Sequence, residues 1–180
     1  MVTILTILPE GFEEIEAITP IDLWRRAGLE VTTASLTNHQ SVTGRSNITL
    51  RADVLLSSIS SEAVFDVLFL PGGPGVSKLR ASPEVVEIVG RHVAANKWIA
   101  AICAAPLVLK DTGLLTGRRY TAHPSTATEL PEILSSERVV VDGKIITSQG
   151  AGTAQDFALK VVELMVDEKT SKKIALSICA

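Results

Sequence analysis

Aromatic residues are scarce in this chain of 180 residues: four Phe, two Trp and one Tyr, 4% of the total. Its core must therefore be aliphatic. Cysteine is rarer still, with only Cys103 and Cys179, far apart and in no metal-ligand spacing. That excludes a disulfide framework and a thiolate metal site, and reads as an intracellular, cytoplasmic chain. Net charge of one sign is missing too. A formal charge of −3 makes no electrostatic case for nucleic acid or an anionic membrane surface. No apolar run exceeds about a dozen residues, where a bilayer span needs about 20. The opening MVTILTIL has no basic leader and no small-residue cleavage site, so it reads as a first strand. With no repeat, low-complexity tract or linker, residues 1–180 suit one domain.

What is present is aliphatic surface. The apolar fraction is 46% and mean hydropathy is positive, as parallel strands buried on both faces and a subunit interface require. Strands are expected at Val2–Leu8, Glu30–Leu36, Phe65–Leu70 and Trp98–Ile102, with a short extended piece at Tyr120–His123. Hairpins are expected over Ser41–Asp53, turning at Gly44, and around Asp142-Gly143. Helices are expected at Glu13–Ala27, closed by Gly28, and at Pro83–Asn96, capped by Ser82. Two more follow at Thr153–Val166 and Asp167–Ala180. Pro20 predicts a kink or restart just after Glu16, whose carbonyl it deprives of a partner. Alternating strands and helices of this kind predict an α/β fold: a mostly parallel central sheet with helices on both faces.

The run Trp98–Ile102 passes into Cys103 with no loop between, and Ala104–Lys110 reads as a helix with Pro106 in its first turn. A side chain on such a bend projects above the sheet, and a helix N-terminus behind it favours thiolate. This is a nucleophile elbow with Cys in place of Ser. The residues alone leave a second reading open, in which Cys103 is a small buried hydrophobe. The glycines of Pro71-Gly72-Gly73-Pro74-Gly75 likewise serve either a close backbone approach or an ordinary turn. In open α/β sheets ligands gather beyond the C-terminal strand ends, so the loop Pro9–Glu16, the glycine loop, the elbow and the His123 loop are expected to meet. Glu13 and Glu14 read as acidic residues favoured at a helix start. Glu16 stands apart: a carboxyl facing a thiol in a half-buried pocket has its pKa raised and can serve as general acid/base. Of the three histidines, His39 and His92 read as solvated, and His123, between a strand end and Pro124, reads as either a structural or a catalytic imidazole. Arg25, Arg26 and Arg45 read as surface charges, and Cys179 as incidental.

Taken together, Gly11-Phe12-Glu13-Glu14-Ile15-Glu16, Trp24-Arg25-Arg26-Ala27-Gly28, Leu70-Pro71-Gly72-Gly73, Ala100-Ala101-Ile102-Cys103-Ala104-Ala105-Pro106, Ala122-His123-Pro124 and Thr147-Ser148-Gln149-Gly150 resemble the ThiJ/PfpI superfamily. The likeness is strongest to its branch of Parkinson-disease-linked protein deglycases and YajL-like proteins. It implies a flavodoxin-like three-layer sandwich and a homodimer built through the first helix and the hairpin after strand two. It also implies Cys103 as nucleophile, Glu16 as its partner acid, His123 nearby, and the amides of Gly73 and Ala104 as an oxyanion pocket. Arg26 and Arg45 match arginines near the family's site, Arg45 reaching across the dimer. No cofactor or metal is implied. Ala104 stands where the peptidase branch has His, which argues against proteolysis, and Ala105 stands where many relatives have Gly.

Two activities follow as expectations. One is a glyoxalase III-type lyase or protein deglycase acting on methylglyoxal, glyoxal or their adducts with protein or nucleotide amines. The other is an oxidative-stress sensor or redox-regulated chaperone in which Cys103 becomes a sulfinate. Amidotransferase chemistry shares the elbow but lacks an acidic partner for the histidine.

Overall fold

In a computed structural model, which describes residues 1–180, the first strand is Thr3–Leu8 (β1). It leads through the loop 9–13 into helix Glu14–Arg26 (α1) and strand Glu30–Ser35 (β2). A separate hairpin, Ser41–Thr43 (β3) with Thr49–Arg51 (β4), precedes the short strand Val54–Leu55 (β5). Then come Val67–Leu70 (β6), Val76–Ala81 (α2), Pro83–Ala94 (α3), Trp98–Ile102 (β7) and Pro106–Asp111 (α4). The chain closes with Val139–Asp142 (β8), Ile145–Ser148 (β9), Ala154–Met165 (α5) and Glu168–Ser177 (α6).

The sheet runs β5-β2-β1-β6-β7-β9-β8, parallel throughout except for the edge strand β8. Within it β2-β1-β6-β7-β9 is the flavodoxin-like strand order, whose direction of winding reverses between β1 and β6. The crevice at that reversal lies beyond Leu8 and Leu70, where the loop after β1 and the glycine loop begin.

Alternation along the strands builds two cores. From β1, Ile4 and Leu8 face α1, α5 and α6, while Leu5 and Ile7 face α2, α3 and α4. From β7, Ala100 and Ile102 join the first core, Ile99 and Ala101 the second. Most of the few aromatics are spent on the first. Trp24 meets Phe69 edge-on at 4.9 Å between centroids, Phe157 lies 5.5 Å from Phe69, and Trp24 Nε1–H donates to the Ala158 carbonyl at 3.0 Å. This anchors α1 to α5 and explains one departure from expectation. α1 does not restart but stays continuous through Pro20, because Ala17, Ile21 and Trp24, packed into one core, hold both halves of the helix together despite the missing N–H.

Other differences are local. The left-handed residue of the β3–β4 turn is Asn47 (φ 63°), not Gly44. Gly44 instead leaves room for Glu14, whose carboxylate would overlap a Cβ there. Glu14 is buried, accepts from the Ser46 amide at 2.7 Å, and holds the hairpin against α1, a larger role than favouring a helix start. Desolvation raises its pKa, but the Ser46 and Ile48 amides outweigh that and lower it. Tyr120–His123 forms no strand. His92 is fully buried, not solvated. Its Nδ1 meets the Ile88 carbonyl at 2.8 Å and its Nε2 accepts from the Phe65 amide at 3.1 Å. Burial holds it below the ordinary histidine range. The signal was there to read: Val85, Ile88, Val89 and His92 follow the i, i+3, i+4, i+7 stripe of a core-facing helix.

Arg80 ties α2 to α4 and to the chain beyond His123. It bridges Asp111 and Glu129 with four hydrogen bonds of 2.6–3.0 Å. Salt screens such partly exposed ion pairs. Arg80→Met is expected to lower the calorimetric midpoint by a few degrees, and molar salt to shrink the difference between variant and wild type.

Candidate active site

Cys103 follows β7 with φ +65°, a left-handed conformation that costs a non-glycine residue about 1–3 kcal/mol. Three backbone hydrogen bonds hold it there. The Cys103 amide donates to the Ser148 carbonyl at 2.9 Å, the His123 amide to the Cys103 carbonyl at 2.9 Å, and the Ala105 amide to the Ile102 carbonyl at 3.0 Å. The chain then turns through Ala104 and Ala105 before α4 begins at Pro106. The expected helix start at Ala104 is therefore two residues early, and a six-residue helix contributes little dipole. What addresses the sulfur is individual amides: those of Gly73 and Ala104 lie near enough to favour its charged form.

Glu16 reaches the same point from the first turn of α1. The Glu13 carboxylate caps that helix by accepting from the Glu16 amide at 2.8 Å. Glu16 is 2% exposed. Its carboxyl interacts with the Cys103 thiol and with the Gly72 and Ala151 amides, yet Oε2 has no partner of ordinary donor geometry. A buried, under-satisfied carboxylate oxygen is costly, and the neighbouring thiol is the group with a proton to share. Gly72 makes the meeting possible. A Cβ there would overlap Glu16 Oε2, and would lie 2.5 Å from Cys103 Cβ and 3.0 Å from Sγ. Gly73, at φ +96°, packs its backbone against Gly11 and Phe12, and the Glu13 amide donates to the Gly72 carbonyl at 3.0 Å. The glycine loop is thus a close approach between chains of atoms, not merely a turn.

Electrostatics couples the pair. Burial, against the hydrogen bond from Cys103, pushes the Glu16 carboxyl up to about 7. Burial and then the Glu16 charge and hydrogen bond push the Cys103 thiol up to about 12. The thiol is therefore not the acidic group expected from a helix N-terminus while Glu16 is ionised. With Glu16 protonated, two of the three upward causes vanish, while the Gly73 and Ala104 amides still draw charge to sulfur. The pair loses one proton near 7 and keeps the second.

His123 lies beside this pair. A point one Cβ out from Gly150 is 3.4 Å from Glu16 Oε1 and 3.5 Å from His123 Cδ2. Cys103, Glu16, Gly73, Ala104 and His123 are thus brought together. Arg26 is not: it sits at the far end of α1, paired with Asp22 at 2.9 Å. Arg45 is exposed at the hairpin tip, its amide bonded to the Phe12 carbonyl at 2.9 Å, close to the loop that carries Glu16. The sequence marks the glycine loop from Gly72 to Gly75 as a candidate close approach, with Gly73 as the donor; the specific need for glycine at Gly72 and Gly150 is set by side chains from distant segments. A cavity of about 280 Å³ at the opposite end of the sheet, lined by Val93, Lys97, Arg118 and Lys144, holds none of these groups.

A model of the DJ-1/PfpI family matches residues 2–164. Protein dj-1beta of Drosophila melanogaster is 37% identical over 175 residues, which cover 95% of this chain and 93% of that protein. Glutathione-independent glyoxalase DJR-1.2 of Caenorhabditis elegans is 34% identical over 174 residues, covering 95% and 92%. Among solved structures, oxidized Toxoplasma gondii DJ-1 superposes with a TM-score of 0.94 at 36% identity, covering 99% of this chain and 98% of that one.

Proposed function

The chain belongs to the DJ-1/PfpI family, and from that premise we propose that it is a cofactor-free, cysteine-dependent enzyme consuming reactive dicarbonyls or their amine adducts. The observation that carries this reading is the buried Glu16 carboxyl against the Cys103 sulfur, with the Gly73 and Ala104 amides turned to the same atom. A relative named as a glutathione-independent glyoxalase supports the choice of substrate class.

In the monoanionic pair the resting proton lies on sulfur, and it passes to the Glu16 carboxylate as the sulfur becomes the nucleophile. Thiolate attacks the aldehyde carbon of methylglyoxal, forming a C–S bond, and the former carbonyl oxygen takes the negative charge among the amides. Glu16 donates its proton to that oxygen. As carboxylate it then removes the hydrogen from the attacked carbon and returns it to the adjacent one, so that one carbon is oxidised as its neighbour is reduced. No outside oxidant or reductant is needed. The resulting thioester is hydrolysed by water, releasing lactate and the thiol; glyoxal gives glycolate by the same route. Adducts of protein or nucleotide amines are drawn down as free dicarbonyl is consumed.

A homodimer through α1 and the β3–β4 hairpin belongs to the same proposal. Ile15 and Ile18 on α1 and Ile48 on the hairpin are exposed, on two elements joined through Glu14. Such a dimer would let Arg45 reach the partner's substrate. The second reading is the sensor. A protonated carboxyl beside sulfur can donate to a sulfinate oxygen, and the Toxoplasma relative is described as oxidized.

Purified protein given methylglyoxal is expected to form lactate stoichiometrically with substrate lost, and iodoacetamide-treated protein to form none. Lactate no faster than the alkylated blank, with peroxide adding two oxygens to Cys103 by mass spectrometry, would leave the sensor reading in its place.

A further inference from the structure

His123 caps the short 3₁₀ turn Pro124–Thr126, and its own side chain supplies the cap. Nδ1 accepts the Ser125 amide hydrogen at 3.2 Å and lies 2.8 Å from Ser125 Oγ. A backbone N–H can only donate, so Nδ1 must present its lone pair, and a neutral imidazole then carries its hydrogen on Nε2. The hydroxyl completes the arrangement by donating to Nδ1 as well. The backbone that carries the ring is fixed, since the His123 amide is bonded to the Cys103 carbonyl at 2.9 Å and the His123 carbonyl accepts from Thr126 Oγ1 at 2.7 Å; the exposed ring itself is held through Ser125. The edge left facing the reacting groups is Cδ2–Nε2: Cδ2 comes within 3.5 Å of the point beside Gly150 that Glu16 Oε1 approaches to 3.4 Å.

We propose that Ser125 is a positioning residue that fixes His123 as the Nε2–H tautomer, so that His123 donates a hydrogen bond to the outer oxygen of a dicarbonyl and is not a base. The inner oxygen, on the carbon that sulfur attacks, belongs to the Gly73 and Ala104 amides. The outer one, on the adjacent carbon, gains negative charge as the hydrogen leaves the first carbon and an enediolate develops. A donor there stabilises that charge. Proton movement between the two carbons then falls to Glu16 alone. This inference rests on the dicarbonyl reading for its substrate, but the state of the ring does not.

The test is long-range ¹H–¹⁵N correlation spectroscopy on ¹⁵N-histidine-labelled protein, recorded well above the ordinary histidine titration range, with three variants. Wild type is expected to show the His123 hydrogen on Nε2. Ser125→Ala keeps the amide and is expected to keep that tautomer, with kcat/KM down about 3- to 10-fold for the lost hydroxyl bond. Ser125→Asp sets a carboxylate against Nδ1 and is expected to move the hydrogen there, lowering kcat at least about 10-fold while the cysteine alkylation rate stays unchanged. His123→Gln retains a side-chain donor and is expected to keep more activity than His123→Ala. A wild-type ring protonated on Nδ1, or a Ser125→Asp ring indistinguishable from wild type, overturns the proposal whether or not methylglyoxal is turned over. Absent turnover with the expected ring states would leave Ser125's positioning role standing and remove only the substrate.

Discussion

Cys103→Ser is expected to bring methylglyoxal conversion down to the protein-free background, a loss of at least about 10³-fold, and Glu16→Gln to cost about 10²–10⁴-fold. The two losses have different causes. Serine keeps the bend and the surrounding amides but ionises far less readily than a thiol, so no C–S bond forms and no later step begins. Glutamine keeps the volume of Glu16 and removes its proton, while freeing the thiol from a neighbouring negative charge. Alkylation of Cys103 by iodoacetamide should therefore survive in Glu16→Gln even as turnover falls. The pH profiles should separate the roles further. Wild-type kcat/KM should rise as pH passes through about 7, where the pair loses its first proton, and level off, since the second stays to about 12. A profile flat across neutrality, or turnover retained in Glu16→Gln, would count against a shared proton.

The same pair sets a pH dependence of stability. In the unfolded chain Glu16 and Cys103 titrate near 4.5 and 9.0; in the fold the pair holds its protons to about 7 and about 12. Between 4.5 and 7 the folded chain binds more protons than the unfolded one, so this contribution is fully present below 4.5 and is lost as pH rises through 7. It is worth on the order of 3 kcal/mol. It depends on the pair's proton count, not on which atom carries the charge. Denaturation at acidic and at mildly alkaline pH should thus show Glu16→Gln gaining stability over wild type on the alkaline side.

Gly72→Ala is expected to damage the site severely. One methyl group there competes for space with Glu16 Oε2, the end of a side chain that is itself buried, and with Cβ and Sγ of Cys103. Cys103 is held by its backbone hydrogen bonds, and Glu16 leaves the first turn of a capped helix. Either the carboxyl moves off the sulfur or the glycine loop lifts and takes the Gly73 amide with it. Both outcomes break the geometry that the chemistry needs, and a displacement of about 1 Å at reacting groups costs about 10²-fold. Overpacking should also destabilise by about 1–3 kcal/mol, lowering the melting point by several degrees. Retained activity in a folded Gly72→Ala protein would show that the carboxyl and thiol need not meet.

Local pattern was enough for the elements that obey local rules. Continuous apolar runs at Val67–Leu70 and Trp98–Ile102 mark strands buried on both faces. Ser82-Pro83 and Asp142-Gly143 mark a helix start and a hairpin. Cys103, placed with no loop after a strand, marks the bend. Where those rules met packing, packing prevailed: Pro20 does not break a helix clamped by Trp24 to α5, and His92 enters the core because its face of α3 does.

The sequence by itself determined a mostly parallel α/β sheet and the likeness that nominated Cys103, Glu16 and His123. Only the tertiary structure decided how they act on one another. Gly72 matters because two segments, nearly ninety residues apart along the chain, converge over it. The proton shared by Glu16 and Cys103, and the ring state set by Ser125, likewise depend on desolvation and contacts that exist only once the loops have met. Spacing along a chain sets which groups are available; proximity and burial, which follow from folding, set their charge.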